Sequence, residues 1–98
     1  MLTGSGSDML DIAVVLMHIR FMNEAYVGSY EIQKIGYDAN NGQLIAFGQS
    51  GRDFVVGVGV FVDLDDHLAW AYGHYHEYVS DALGEFDNRT CRTVWCKG

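Results

Sequence analysis

Residues 53–62 read DFVVGVGVFV, and residues 63–84 continue as DLDDHLAWAYGHYHEYVSDALG. In an extended strand alternate side chains share a face, so Val56, Val58, Val60 and Val62 are expected on one face of residues 53–62. The opposite face then carries Val55, Gly57, Gly59 and Phe61. Because both faces are apolar, this segment is predicted to be a central strand of a sheet.

The segment that follows is predicted to form a helix over residues 64–83. Asp63 is a residue type that caps helix N-termini, and Gly84 suits a left-handed C-terminal cap. At 100° per residue, one side of this helix collects the side chains expected to be buried, which are Leu64, Leu68, Ala71, Tyr72, Tyr75, Val79 and Ala82. Trp70 falls outside this stripe, so it is either an exposed contact residue or packed under the first helix or the tail, and Tyr75 is expected in the core.

The rest of the chain supplies a hairpin, a second helix and a short tail. Residues 30–37 and 43–47 flank the turn signal Asp38-Ala39-Asn40-Asn41-Gly42 and are predicted to pair as a hairpin. Residues 7–22 fit a helix or a strand, and we favour a helix. The expected fold is therefore α+β, in the order α-β-β-β-α, with a three-stranded antiparallel meander and a short C-terminal strand or tail over residues 90–96. Residues 1–7 are predicted to be a flexible leader, and residues 8–98 a single domain.

The excess of acidic over basic side chains argues against nucleic acid as a direct partner. Thirteen acidic and six basic side chains give a net charge of −7, which opposes direct binding to nucleic acid. No apolar run reaches the length of a membrane span, and the start lacks the basic region of a secretory signal, so a cytoplasmic protein is expected. Cys91 and Cys96 are interpreted as free thiols, with a small bridged loop as the alternative.

Three histidines near carboxylates raise the question of a metal or acid–base site. On the predicted helix His67 and His74 are about 10 Å apart along the axis, too far to hold one ion, and His76 points away from both. His74 and Glu77 form a two-ligand site at most. If residues 70–76 form a strand instead, His74 and His76 point the same way and become a ligand pair. No nucleophile motif or phosphate-binding loop is present, so neither a cofactor nor enzymatic activity is predicted.

The leading hypothesis is an acidic inhibitor that blocks a basic, nucleic-acid-binding surface of another protein, as anti-CRISPR, anti-restriction and toxin immunity proteins do. An exposed tryptophan among carboxylates is typical of an anchor for such a partner. One alternative is a small-molecule or metal-binding domain that uses His67, His74 and Glu77. Another is an oligomeric scaffold, such as a homodimer, with Ala69, Gly73 and Ser80 as its contact strip. The predicted partner-binding residues are Asp63, Asp66, His67, Trp70, His74, Glu77, Tyr78, Asp81 and Glu85.

Overall fold

Antiparallel strands dominate the part of the chain that the structure, a computed structural model, describes, namely residues 12–20 and 25–97. A first helix, α1, covers residues 12–20. The other elements, in chain order, are β1 (Tyr26–Val27), β2 (Tyr30–Asp38), β3 (Gln43–Ser50), β4 (Asp53–Val62), β5 (Leu68–His76), α2 (Val79–Arg89) and β6 (Arg92–Cys96).

The six strands form one sheet that curls into a half-barrel. Strands β1 to β5 lie in sequence order, each pairing with its neighbour, and β6 also pairs with β2. Tyr26 of β1 lies opposite Glu31, whereas Cys96 of β6 lies opposite Lys34 farther along β2. Two short strands thus extend the sheet beyond β2, and β5 forms the other end of the strand order.

Each face of the curled sheet carries its own core and its own helix. The core under α1 draws on all six strands, so we call it the inner core; its buried residues are Val15, Ile19, Ala25, Ile32, Ile35, Leu44, Ala46, Val60 and Leu68. The outer core lies under α2 and consists of Ile45, Phe47, Val56, Val58, Ala82 and Phe86. Burial of apolar surface on both faces explains why β3 and β4 are apolar along most of their length.

Strand β4 changes faces at Gly59. Val56 and Val58 belong to the outer core, whereas Val60 belongs to the inner core. In a regular strand Val58 and Val60 would share a face, and Gly59 between them has a φ of +76°, which an L side chain rarely adopts. The single valine face predicted from alternation is therefore wrong beyond Val58, because this glycine permits an irregularity that alternation alone does not reveal.

The predicted helix over residues 64–83 is wrong, and so is the three-stranded meander. Residues 68–76 form β5, which pairs with β4 along its length, and α2 begins only at Val79. The observed sheet has six strands. Aromatic side chains suit a strand, and a glycine such as Gly73 costs a helix about 1 kcal/mol relative to alanine, so ladder pairing with β4 overrides the helical periodicity.

Burial follows the strand and not the predicted helical stripe. Of that stripe only Leu68 and Ala82 are buried, whereas Leu64, Tyr72, Tyr75 and Val79 are exposed. Trp70, in contrast, is partly buried and packs against the inner core. Gly84 lies inside α2, five residues before its end, and is not a cap.

Other elements of the prediction are confirmed. Strands β2 and β3 pair as the expected hairpin, with Asp38 opposite Gln43. The first segment is helical over residues 12–20, and β6 forms the expected C-terminal strand. The remainder of the predicted first helix and the predicted leader over residues 1–7 lie outside the described residues. No helix in the described ranges is long and apolar enough to cross a membrane.

Buried Asp38 organises the turn of this hairpin. Its Oδ1 accepts hydrogen bonds from the backbone N–H groups of Asn40 and Asn41, at 3.0 and 3.3 Å. Its Oδ2 accepts from the side chains of Asn41 and Gln43, at 2.9 and 3.2 Å. Burial acts to raise the pKa of Asp38, but these bonds more than offset it and leave the pKa below its ordinary value. The turn signal in the sequence thus has a direct structural counterpart.

The two cysteines are free and exposed. Residues 92–96 are an extended strand, which at about 3.3 Å per residue holds Cys91 and Cys96 far beyond the Cα separation of a disulfide. The prediction of free thiols is confirmed, and the bridged alternative does not fit this strand.

Candidate functional site

Strand β5 presents a row of polar side chains toward α2. Tyr72, His74 and His76 alternate along the strand and therefore share a face. The Tyr72 and His74 rings lie 5.3 Å apart. On the facing side, α2 places Glu85 and Arg89 one turn apart on the helix surface. The junction of the helix with the last strand is thus polar, next to the apolar outer core.

Glu85 is the hub of this junction, and we call Glu85, His74, His76 and Arg89 the Glu85 cluster. Its Oε2 lies 2.5 Å from His74 Nδ1 and 2.6 Å from Arg89 Nε. Its Oε1 lies 2.7 Å from His76 Nε2. The carboxylate can only accept, so each imidazole donates from the nitrogen that faces Glu85. One side chain of α2 therefore binds two residues of β5 and one of its own helix.

The surroundings keep Glu85 ionised. Its side chain is only 19% exposed, and this burial acts to raise the pKa. The hydrogen bonds from His76, Arg89 and His74 act in the opposite direction and prevail, so the pKa of Glu85 lies below its ordinary value. The same pairing raises the pKa of Arg89. The cluster is a charge-assisted link between α2 and β5.

The histidine pair is the arrangement that a strand over residues 70–76 predicts, yet it is not arranged as a metal centre. Within the described ranges no group of three or more His, Cys, Asp or Glu side chains is placed to hold an ion. Both Glu85 oxygens already accept bonds, and the guanidinium of Arg89 supplies positive charge where a metal would lie. Among residues 12–20 and 25–97, neither of the ring nitrogens that face away from Glu85, His74 Nε2 and His76 Nδ1, has a hydrogen-bond partner.

The predicted partner-binding residues do not form one face. Asp63, Asp66 and His67 lie in the loop between β4 and β5, at one end of the sheet. Glu77, Tyr78, Asp81 and Glu85 follow the other end of β5. The nine residues of β5 separate these two groups by about 26 Å. His67 is consequently remote from His74 and Glu77, so the three residues of the alternative ligand site do not meet.

Two further members of the predicted set, besides His74 and Glu85, have structural roles. Asp63 holds the β4–β5 loop, since its Oδ1 accepts from the N–H groups of Asp65 and His67 at 2.9 and 3.0 Å. These bonds, led by the one from His67, lower the pKa of Asp63. Trp70 lies over Gly57, where an added Cβ would approach the indole to 2.2 Å, and beside Gly73. The strip of Ala69, Gly73 and Ser80 proposed for oligomer contacts is divided between β5 and α2.

Sequence reasoning included Glu77 among the partner-binding residues but missed Asp53 and Tyr75, which lie at the same end of β5. Phe54 lies opposite His76, so Asp53 and Glu77 extend two adjacent strand ends, and both are exposed. Tyr75, assigned to the core from the sequence, is 63% exposed, and its ring lies 5.7 Å from that of Tyr30. The sequence signal for a strand here is the alternation over residues 72–76, which read Tyr-Gly-His-Tyr-His.

No protein-family model, curated protein or solved structure matches the chain.

Proposed function

We propose that the protein is a non-enzymatic binding protein that occludes a basic, nucleic-acid-binding surface of a partner protein. The observation that supports this proposal is the distribution of exposed carboxylates at the two ends of β5. Asp65 and Asp66 lie at one end, and Asp53, Glu77 and Asp81 lie at the other. Within the described chain none of these five side chains takes part in an ion pair.

Two basic side chains near the C-terminus do not neutralise these exposed carboxylates, because each is already paired with another carboxylate. Arg89 is bound to Glu85, and Lys97 is bound to Glu31, each at 2.6 Å. Free carboxylates at both ends of a strand create a negative field that extends over about 26 Å. Such a field speeds association with a positive surface and competes with the phosphate backbone for it.

The docking face differs from the one predicted for a helix. Trp70 packs against the inner core and is not available as a central anchor. In the proposed docking face, exposed tyrosines take the role of contact residues in place of Trp70. Tyr72, Tyr75 and Tyr78 are 51%, 63% and 66% exposed. Tyrosine is enriched at protein interfaces, since its ring gives a large contact area and its hydroxyl tolerates water.

Affinity capture followed by a competition assay tests the proposal. The protein is immobilised, captured proteins are identified, and each is assayed by gel shift for nucleic-acid binding with and without added protein. We expect the captured protein to bind nucleic acid and to release it as the acidic protein is added. Removing the charge at both ends, with Asp65→Asn, Asp66→Asn, Asp53→Asn and Glu77→Gln together, should abolish capture and competition.

The matched control is Asp87→Asn, which removes an exposed carboxylate about 12 Å along the helix from Val79 and outside both acidic ends. This variant should capture and compete as the unmodified protein does. Capture that is unchanged by the four neutralising substitutions, or a captured protein whose nucleic-acid binding is unaffected, would refute the proposed function.

A further inference from the structure

The α2 end of β5 carries tyrosines and carboxylates side by side. We call Tyr30, Asp53, Tyr75, Glu77 and Tyr78 the acidic rim. Asp53 begins β4 and Glu77 directly follows β5, each one residue beyond the paired residues Phe54 and His76, so the two lie at neighbouring strand ends. Tyr75 lies two residues before Glu77, and Tyr78 directly follows it.

The exposed carboxylates of Asp53 and Glu77 form no ion pair within the described chain. Negative charges at neighbouring strand ends repel each other, so a cation bound by both carboxylates would relieve that repulsion. Arg52, the nearest base along the chain, forms no ion pair with either carboxylate, although all three residues are described. The rim is thus electrostatically suited to receive positive charge from outside the chain.

The aromatic rings decide which cation fits best. A guanidinium is planar, binds carboxylates through two parallel hydrogen bonds and stacks on aromatic rings, whereas an ammonium is a compact, strongly hydrated point charge. The chain itself places one arginine on a ring and another on a carboxylate: Arg92 lies over the Tyr37 ring at 5.8 Å, and Arg89 donates from Nε to Glu85 beside Tyr72.

We propose that the acidic rim binds arginine side chains presented by an arginine-rich segment of the partner protein, and that it selects arginine over lysine through Tyr75 and Tyr78. This inference rests on the proposed function and adds the chemistry of the contact. A second copy of the chain does not fit the rim. Each copy carries a net charge of −7, and antiparallel pairing of two β5 strands would bring Asp66 of one copy to the Glu77 end of the other.

Two labelled peptides of equal charge test the selectivity. One alternates arginine with glycine over about eight residues, and the other replaces every arginine with lysine. Their dissociation constants are measured by fluorescence anisotropy at an ionic strength near 0.15 M, where exposed charges are screened beyond about 8 Å. We expect the arginine peptide to bind about two- to five-fold more tightly for each ring it stacks on.

Substitutions at the rim assign the selectivity to its residues. Tyr75→Leu and Tyr78→Leu together should reduce the arginine preference to the part that the carboxylates alone provide, because the stacking contacts are lost while the hydrogen bonds to the carboxylates remain. Glu77→Gln should weaken both peptides, and Asp87→Asn, which removes one charge outside the rim, should weaken neither. Circular dichroism on each variant checks that the fold is retained, as exposure of both rings leads us to expect.

Equal affinity for the two peptides, or an arginine preference that is undiminished by loss of both tyrosines, would overturn this inference. Those outcomes leave the proposed function intact if the capture experiment succeeds, because that experiment is read from capture, competition and their loss on neutralising the carboxylates, and not from a preference for arginine over lysine. Failure of capture and competition would instead remove the proposed function itself.

Discussion

At the scale of single residues, Gly57 shows why β4 and β5 pair so closely. Gly57 lies opposite Gly73, and the Trp70 ring occupies the space above them. A Cβ at position 57 would lie 2.2 Å from the indole, so Gly57→Ala must displace Trp70 or the backbone. We expect a loss of about 1–3 kcal/mol in the free energy of unfolding, measured by urea denaturation.

Gly84 provides a control for Gly57, because substitution by alanine at position 84 is expected to stabilise the protein. Gly84 lies within α2, and a Cβ there would have no neighbour within 4 Å. Gly84→Ala should therefore stabilise the protein by about 0.5–1 kcal/mol through helix propensity alone. If both substitutions changed stability equally, contact with Trp70 would not be the cause of the loss at Gly57.

The burial of Trp70 and Tyr75 is the reverse of what a helical period over these residues predicts. Trp70 packs against the inner core, whereas Tyr75 is mostly exposed. Trp70→Ala is expected to cost about 3 kcal/mol, and Tyr75→Ala less than about 1 kcal/mol. Thermal unfolding of both variants measures this order directly, and the reverse order would support the helical assignment that the structure contradicts.

At the scale of elements, the sequence predicts the segments whose signals are local. The turn at Asp38 combines short polar residues with a glycine, and the β2–β3 hairpin follows from it. Strand β6 likewise follows from alternation over its own residues. These predictions succeed because each depends on backbone preferences within a few residues.

Strand β5 could not be identified in the same way, because its apolar residues also fit a helical period. What decides between them is pairing with β4 and the stacking of Trp70 on two glycines, which are contacts between segments. The error carried over to the candidate site. Helical periodicity places Glu77 and Trp70 on one face and puts Tyr75 in the core, whereas the sheet places Asp53, Tyr75 and Glu77 at the same end of β5.

The contact between α2 and β5 has a predictable response to acid. The folded-state pKa of Glu85 is lowered, so its contribution to stability is fully present above its unfolded-state pKa, about 4.3, and is lost as the pH falls through the folded value. Glu85→Gln should therefore lower the melting temperature at pH 7 and flatten its decline below about pH 4.5. Asp81→Asn, on the same helix but exposed and outside the cluster, should leave that decline unchanged.

At the scale of the whole molecule, the fold is expected to be independent of metal. The Glu85 carboxylate already accepts from Arg89 and from both histidines, so an ion would have to displace the bonds that link α2 to β5. A structural metal contributes to folding free energy directly, and a chelator would remove that contribution. Dialysis against EDTA should leave the melting temperature unchanged, and a fall of several degrees would instead indicate a metal at the histidine pair.

The distribution of charge over the whole molecule also predicts how it behaves toward nucleic acid. Affinity for a phosphate backbone comes mainly from basic groups that displace counter-ions, and here the C-terminal bases are largely occupied. Arg89 and Lys97 are bound to carboxylates, and Arg92 lies over the Tyr37 ring.

With a net charge of −7 over the full chain, the protein should show no binding to DNA or RNA at micromolar concentration in about 0.15 M salt. Fluorescence anisotropy with labelled single-stranded and double-stranded oligonucleotides provides the measurement. A gain in anisotropy that weakens as salt is added would show that the free bases prevail over the carboxylates. The protein would then bind nucleic acid itself, and competition with nucleic acid for a partner's basic surface would no longer follow from its charge.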